Sequence, residues 1–167
     1  MNKITRNILT AILLIIAQTI IFNNINLFGY LNPFIYIIFI IYYPIKNDRI
    51  FFIFISFIIG LLIDIFSDTL GLHSAASVTI AYLRPFILKI SFGLAYIHQV
   101  IKFKNIDFKN KLIYISLLSI IHHAVLFSLE IFNFSKVLFI FDKVIMSSVF
   151  TISLCFLFSY LFKTNER

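Results

Sequence analysis

The sequence predicts an all-α polytopic integral membrane protein: one membrane domain of about six transmembrane helices, with both termini on the cytoplasmic side. Three observations predict it. The chain has 167 residues, 61% hydrophobic and 13% charged, about half the charged share of an ordinary soluble domain, so it cannot clothe a water-facing surface. Its apolar residues fall into runs at 8–25, 31–45, 50–66, 72–90, 112–132 and 137–162, and a bilayer core about 30 Å thick takes about 20 such residues per helix. The basic residues are lopsided. With the N-terminus inside, Lys3, Arg6, Lys46, Arg49, Lys89, Lys102, Lys104, Lys109, Lys111, Lys163 and Arg167 lie on the cytoplasmic side, Lys136 and Lys143 lie outside, and Arg84 falls within a span. Short cytoplasmic loops collect Lys and Arg in this way.

The run 8–25 retains Gln18 and Thr19 and lacks an A-x-A-like cleavage site, so it reads as a retained first span and not a secretory signal. An Asn-rich turn over 23–32 leads into 31–45, which is brief for a crossing. A five-span variant, with two short runs forming a hairpin, therefore stays open. The turn Lys46-Asn47-Asp48-Arg49 precedes the third span, the turn 68–71 the fourth, and the turn 133–136 the sixth. Connections this short make successive helices antiparallel neighbours. Only 92–111 is longer; its mix of Phe, Ile and Lys reads as a basic cytoplasmic loop or an amphipathic segment against the headgroups.

Topology also accounts for the net charge of +7. The cations sit between apolar runs and not on one folded basic face, so no nucleic-acid partner is expected; membrane lipids are. Cys155 is the only cysteine and lies in an apolar run, which leaves no intramolecular disulfide and no CxxC metal site and reads as a small buried hydrophobe. No nucleophile elbow, phosphate-binding loop or zincin motif occurs in a chain with four glycines. No catalytic, metal-binding or cofactor-binding residue is assigned.

The sharpest local pattern is Gly60, Asp64 and Asp68 at four-residue steps on the third span, which share a helix face. A carboxylate in hydrocarbon costs at least about 2.5–3.5 kcal/mol, less near a helix end. The bland reading is a polar helix end before the turn at Gly71; the functional one is a docking surface or cavity mouth on the outer side. The spacing also resembles the second half of the metal-binding motif of CDP-alcohol phosphatidyltransferases. Those enzymes need further upstream aspartates for two divalent ions, whereas this chain offers only Asp48, across the membrane.

Arg84 sits about twelve residues into the fourth span, too far from Asp64 to pair with it. It reads either as snorkelling to inner headgroups beside Lys89, with Pro85 kinking the helix, or as an anchor on carbonyls freed at that kink. Ser74, Ser77 and Ala81 form a small-residue stripe that suits close helix packing. His122 and His123 point about 100° apart on the fifth span, so they cannot share one metal. Interhelical hydrogen bonding is the expected use, ahead of proton relay. His73, Glu130, Lys136, Asp142 and Lys143 join Asp64 and Asp68 in a polar crown at the outer end.

Over 26–88 the chain resembles the rod shape-determining protein MreD family in its six-span form. The landmarks are Leu27-Phe28-Gly29-Tyr30-Leu31-Asn32-Pro33, the Tyr43-Pro44 helix end, Gly60-Leu61-Leu62-Ile63-Asp64-Ile65-Phe66-Ser67-Asp68-Thr69-Leu70-Gly71-Leu72-His73, and Tyr82-Leu83-Arg84-Pro85. The later half agrees in hydropathy and span count. The resemblance implies a non-catalytic subunit of the bacterial cell-elongation machinery in the inner membrane. Such a subunit binds MreC and, through it, engages MreB, the glycosyltransferase RodA and a penicillin-binding transpeptidase. Members of that family also resemble in fold the substrate-binding membrane subunits of vitamin-type transporters, which gives the alternative expectation. On either reading the candidate interface or packing residues are Gly60, Asp64, Asp68, Gly71, His73, Ser74, Ser77, Ala81, Arg84 and Pro85.

Overall fold

The structure is a computed structural model that describes residues 3–25, 31–44, 48–93 and 107–164. Its helices are α1 (Lys3–Ile20), α2 (Ile37–Tyr42), α3 (Arg49–Ser67), α4 (Leu72–Phe92), α5 (Phe108–Ile131) and α6 (Val137–Thr164), with 3-10 turns at Phe22–Asn24 and Phe134–Lys136. Among the described residues, five helical stretches are long and apolar enough to cross a membrane: Thr5–Asn24, Arg49–Ser67, Leu72–Phe92, Phe108–Ile131 and Val137–Tyr160. On that ground the chain is an all-α membrane protein.

Helix ends follow local chemistry. Asp48 caps α3 by accepting the Ile50 N–H at 2.9 Å, as an N-cap carboxylate does. Asp68 ends α3 in the left-handed conformation at φ 55°, and Gly71, at φ 92°, opens α4. Asp tolerates that region better than most residues and glycine occupies it without strain. Short connections make α3 and α4, and α5 and α6, antiparallel neighbours; α5 also packs on α4, and α1 on α3. Asn23, just past α1, donates from Nδ2 to Ser67 Oγ at the end of α3 (2.7 Å). The C-terminal ends of α1 and α3 therefore meet at one end of the bundle, the Asp64 end. The opposite, Arg84 end holds the end of α6 and the start of α5, where Lys111 Nζ donates to Ser159 Oγ.

The run 31–45 does not form the full-length helix expected of a second span. Its helical part, α2, has six residues, about 9 Å at 1.5 Å per residue against a hydrocarbon core of about 30 Å. The cause is local: Pro33 lacks an N–H, and a residue before proline avoids the α region, so Asn32 and Pro33 keep the approach extended. The run is apolar for a different reason from its neighbours. Tyr36, Ile37, Ile40 and Ile41 are wholly buried and Leu31 is 1% exposed, so the segment threads the interior of the bundle and packs against α1, α4 and α5. Its Phe34 ring lies 5.2 Å from the His73 ring near the start of α4, while its Ile41 and Tyr43 carbonyls meet Arg84. His73 and Arg84 are eleven residues apart on α4, about 16 Å, so the segment runs lengthwise through the core. Of the expected loop or amphipathic segment 92–111, residues 94–106 lie outside the described residues, as do 26–30 and 45–47.

Candidate functional site

Two buried charges hold the interior together, and each is matched by a helix end. Asp64 is 4% exposed and its carboxylate accepts four hydrogen bonds. Thr69 Oγ1 (2.7 Å) and the His73 N–H (2.9 Å) donate to Oδ1; the Ser74 N–H (2.9 Å) and Ser74 Oγ (2.5 Å) donate to Oδ2. The acceptor thus sits against the free N–H groups of the first turn of α4, where the helix dipole also favours a negative charge. Gly60, one turn earlier, makes this approach possible. A Cβ there would stand 2.6 Å from Ser74 Cα and 2.7 Å from the His73 carbonyl oxygen, both backbone atoms.

Arg84, 3% exposed, does the converse at the other end. Its Nε donates to Tyr114 Oη at 2.7 Å, and one terminal nitrogen donates to the carbonyls of Ile41 (3.1 Å) and Tyr43 (2.5 Å). Tyr114 in turn donates to the Ile41 carbonyl at 3.0 Å, and the guanidinium lies 4.9 Å from the Phe52 ring centroid. A cation at the carbonyl end of α2 is the favourable sign for a helix C-terminus. The snorkelling expectation is thereby corrected: Lys89 is exposed but Arg84 is not. The carbonyls it bonds belong to the α2 segment and not to α4 around Pro85, because the unravelled end of a short buried helix leaves its acceptors without other donors.

The extended part of the α2 segment is splinted by side chains. Gln18 on α1 donates to the Pro33 carbonyl (3.1 Å) and accepts the Ile35 N–H (2.7 Å); Thr151 on α6 accepts the Phe34 N–H (3.1 Å). Non-helical backbone at membrane depth is tolerated only where protein satisfies it in this way.

The histidines surround Phe34 and Tyr36. The Tyr36 hydroxyl lies 2.6 Å from His122 Nε2 and 3.0 Å from His73 Nδ1. His123 Nδ1 donates to the Ser119 carbonyl at 2.6 Å, which leaves its Nε2 to accept from Thr151 Oγ1 at 3.3 Å. His122 and His123 thus serve different partners. Among the described residues no group of three or more His, Cys, Asp or Glu is placed to hold a metal.

Above this layer, at the Asp64 end, is a cavity of about 240 Å³. Its polar wall includes Asn23, Asn32, Ser67, Thr69 and His73; Glu130 and Lys143 form an ion pair at 2.9 Å on its rim; Phe34, Leu72, Leu126 and Phe127 supply the apolar wall. The expected polar crown is only partly one site. His73, Glu130 and Lys143 line the cavity; Asp64 lies buried beneath, against Thr69 and His73; and Asp68, Lys136 and Asp142 are exposed outside its lining.

The structure brings Gly60, Asp64, His73 and Ser74 into one junction and leaves Asp68 out of it. The shared-face expectation fails for Asp68 because the helix ends in a left-handed residue there. Gly71 makes the turn, Ser77 and Ala81 are fully buried on α4, and Arg84 forms the second junction with Pro85 beside it. Sequence reasoning did not single out Tyr36, Tyr114, Thr151 or, as a splint, Gln18. The signal available for them was a polar side chain deep in an apolar run, a position that faces protein and not lipid. The chain matches no family model, no curated protein and no solved structure.

Proposed function

We propose that the chain is a non-catalytic subunit, a scaffold of the bacterial cell-elongation machinery that builds peptidoglycan and sets rod shape, seated in the inner membrane with both termini cytoplasmic. One observation carries the reading. The residues on which the MreD resemblance rests, Gly60, Asp64 and His73 in one stretch and Arg84 in the other, form internal junctions that lock α2, α3, α4 and α5 together. That is the use a rigid platform makes of polar residues. Wide apolar faces remain on α1 and α6, with Leu13 57% and Leu138 85% exposed, where lipid or a partner's transmembrane helix packs. The parallel course of α1 and α3 supports a six-pass reading with the 31–44 segment as an internal return pass, and the Asp64 end as the outer one. MreC is the proposed direct partner, with MreB, RodA and a penicillin-binding transpeptidase reached through it. Depletion in a rod-shaped host without a second copy is expected to round the cells, and affinity purification in mild detergent is expected to recover MreC. Retained rod shape on depletion sinks the proposal.

The cavity favours a second reading, a substrate-binding membrane subunit of a small-molecule (vitamin-type) transporter. Copurification of an ATPase module in place of MreC would select it.

A further inference from the structure

We infer that the cavity at the Asp64 end is a binding site for a small, flat, uncharged heterocycle bearing a hydrogen-bond acceptor, anchored by the Nε2 of His73. The inference rests on neither functional reading, since a scaffold regulated by a metabolite and a transport subunit both need such a site.

Size comes first. About 240 Å³ is the liquid share of about eight waters and falls below the roughly 300–1,000 Å³ typical of drug-sized ligands, so the occupant is of single-ring dimensions. Its shape follows from the walls. Phe34 and Phe127 stand 6.1 Å apart between centroids at 54°, and with Leu72 and Leu126 they offer faces that suit a flat ring. Its charge follows from the surroundings: Glu130 and Lys143 neutralise each other on the rim, and the Asp64 carboxylate beneath is taken up by its four donors at the start of α4, so neither offers an ion a free counter-charge.

The anchor follows from what the polar wall has left over. Thr69 donates its hydroxyl proton to Asp64, the Asn23 amide is engaged on both sides by Gln18 and Ser67, and Asn32 donates to the Asn23 carbonyl, which leaves the Ser67 hydroxyl proton and His73. His73 lines the cavity while only 5% exposed, and its Nε2 makes no hydrogen bond among the described residues. The residue is held from behind, its backbone N–H on Asp64 and its ring Nδ1 on Tyr36.

The proton on that ring can be placed. Tyr36 has one hydroxyl proton and two imidazole neighbours, so one imidazole must donate to it. Ser77 Oγ makes no hydrogen bond among the described residues, so if His73 Nδ1 donated, Tyr36 would donate to His122 Nε2. His122 would then carry its proton on Nδ1, which is buried without a partner, and an orphaned buried N–H is the rarer and costlier omission. In the other arrangement His122 donates through Nε2, Tyr36 donates to His73 Nδ1, and His73 keeps its proton on Nε2. His73 therefore presents an N–H donor to the cavity, and its ligand needs an acceptor.

The test is saturation-transfer NMR on the full-length protein in mild detergent, with cytosine, uracil and nicotinamide as probes at millimolar concentration. Transfer to at least one of them is expected. Binding should weaken at least tenfold in His73→Phe, which keeps a flat ring but removes the donor, and in Leu72→Trp, which fills the cavity without touching the Asp64 or Tyr36 hydrogen bonds. Leu138→Ala, on an 85% exposed face, should leave it unchanged. Absence of transfer to all three probes overturns the site, as does transfer that survives Leu72→Trp. Loss in Leu72→Trp but not in His73→Phe overturns the imidazole anchor. If His73→Phe does not fold, Leu72→Trp alone decides the site. Rod shape and MreC recovery are read separately, so failure here leaves the scaffold proposal standing.

Discussion

Asp64 and Asp68 lie one helical turn apart, yet their surroundings differ as much as two carboxylates in one protein can. Asp64 collects two backbone and two hydroxyl donors at the start of α4; Asp68 is exposed and ends α3 with φ 55°. Asparagine in place of Asp64 keeps the shape but turns one acceptor oxygen into an NH2 that faces donors. With Oδ1 kept as the acceptor, the Ser74 N–H loses its bond and faces an NH2, while the Ser74 hydroxyl can turn to accept from it; a hydrogen bond to a charged group contributes about 1.5–3 kcal/mol. Asp64→Asn is therefore expected to destabilise by about 2–4 kcal/mol, seen as a clear fall in the melting temperature of the detergent-solubilised protein. Asp68→Asn should change stability by less than about 0.5 kcal/mol, because asparagine tolerates the left-handed region as well as aspartate does. Equal losses at the two positions would refute the assignment of Asp64 as the buried clamp. The sequence could bring both aspartates to one end of a helix but could not tell them apart, because the difference is made by the return of α4, nine and ten residues downstream.

At Gly60, α3 comes up against the backbone of α4. Gly60→Ala puts a methyl group 2.6 Å from Ser74 Cα, and backbone cannot swing aside as a flexible side chain can. The helices must part, which also lengthens the Asp64 bonds to Ser74 one turn away. Overpacking typically costs about 1–3 kcal/mol, and the added strain on the clamp places Gly60→Ala at the upper end of that range. Membrane abundance and melting temperature check it; an unchanged protein would mean that α3 and α4 do not touch there. The contact was legible from a glycine in an apolar run and a small-residue stripe, Ser74, Ser77 and Ala81, on the next helix. The fate of 31–45 was not, because periodicity cannot separate a run buried in protein from one buried in lipid. Two features of that run bear on the difference in retrospect. Asn32-Pro33 breaks the helix at the entry, and Gln18 supplies on the neighbouring element the amide that an unwound backbone needs.

At the scale of the whole molecule, the proposed parity of passes rests on the interior segment. Five long helices alone would place the termini on opposite sides of a membrane, but the ends of α1 and α3 meet through Asn23 and Ser67. The chain between them must therefore come back along the bundle, and it does so through the core instead of through lipid. The expected six-pass topology with both termini inside then makes a direct prediction. Native Cys155 is fully buried, so single cysteines can be introduced without removing it. Leu70→Cys and Phe132→Cys, at turn positions 98% and 83% exposed, should react with a membrane-impermeant maleimide in spheroplasts. Thr5→Cys and Lys109→Cys, exposed at the opposite end, should react only after permeabilisation. The reverse pattern would invert the topology and move the cavity to the cytoplasmic face. Labelling of Thr5→Cys together with Leu70→Cys from outside would break the parallel pairing of α1 and α3, and with it the reading of 31–44 as an internal return pass.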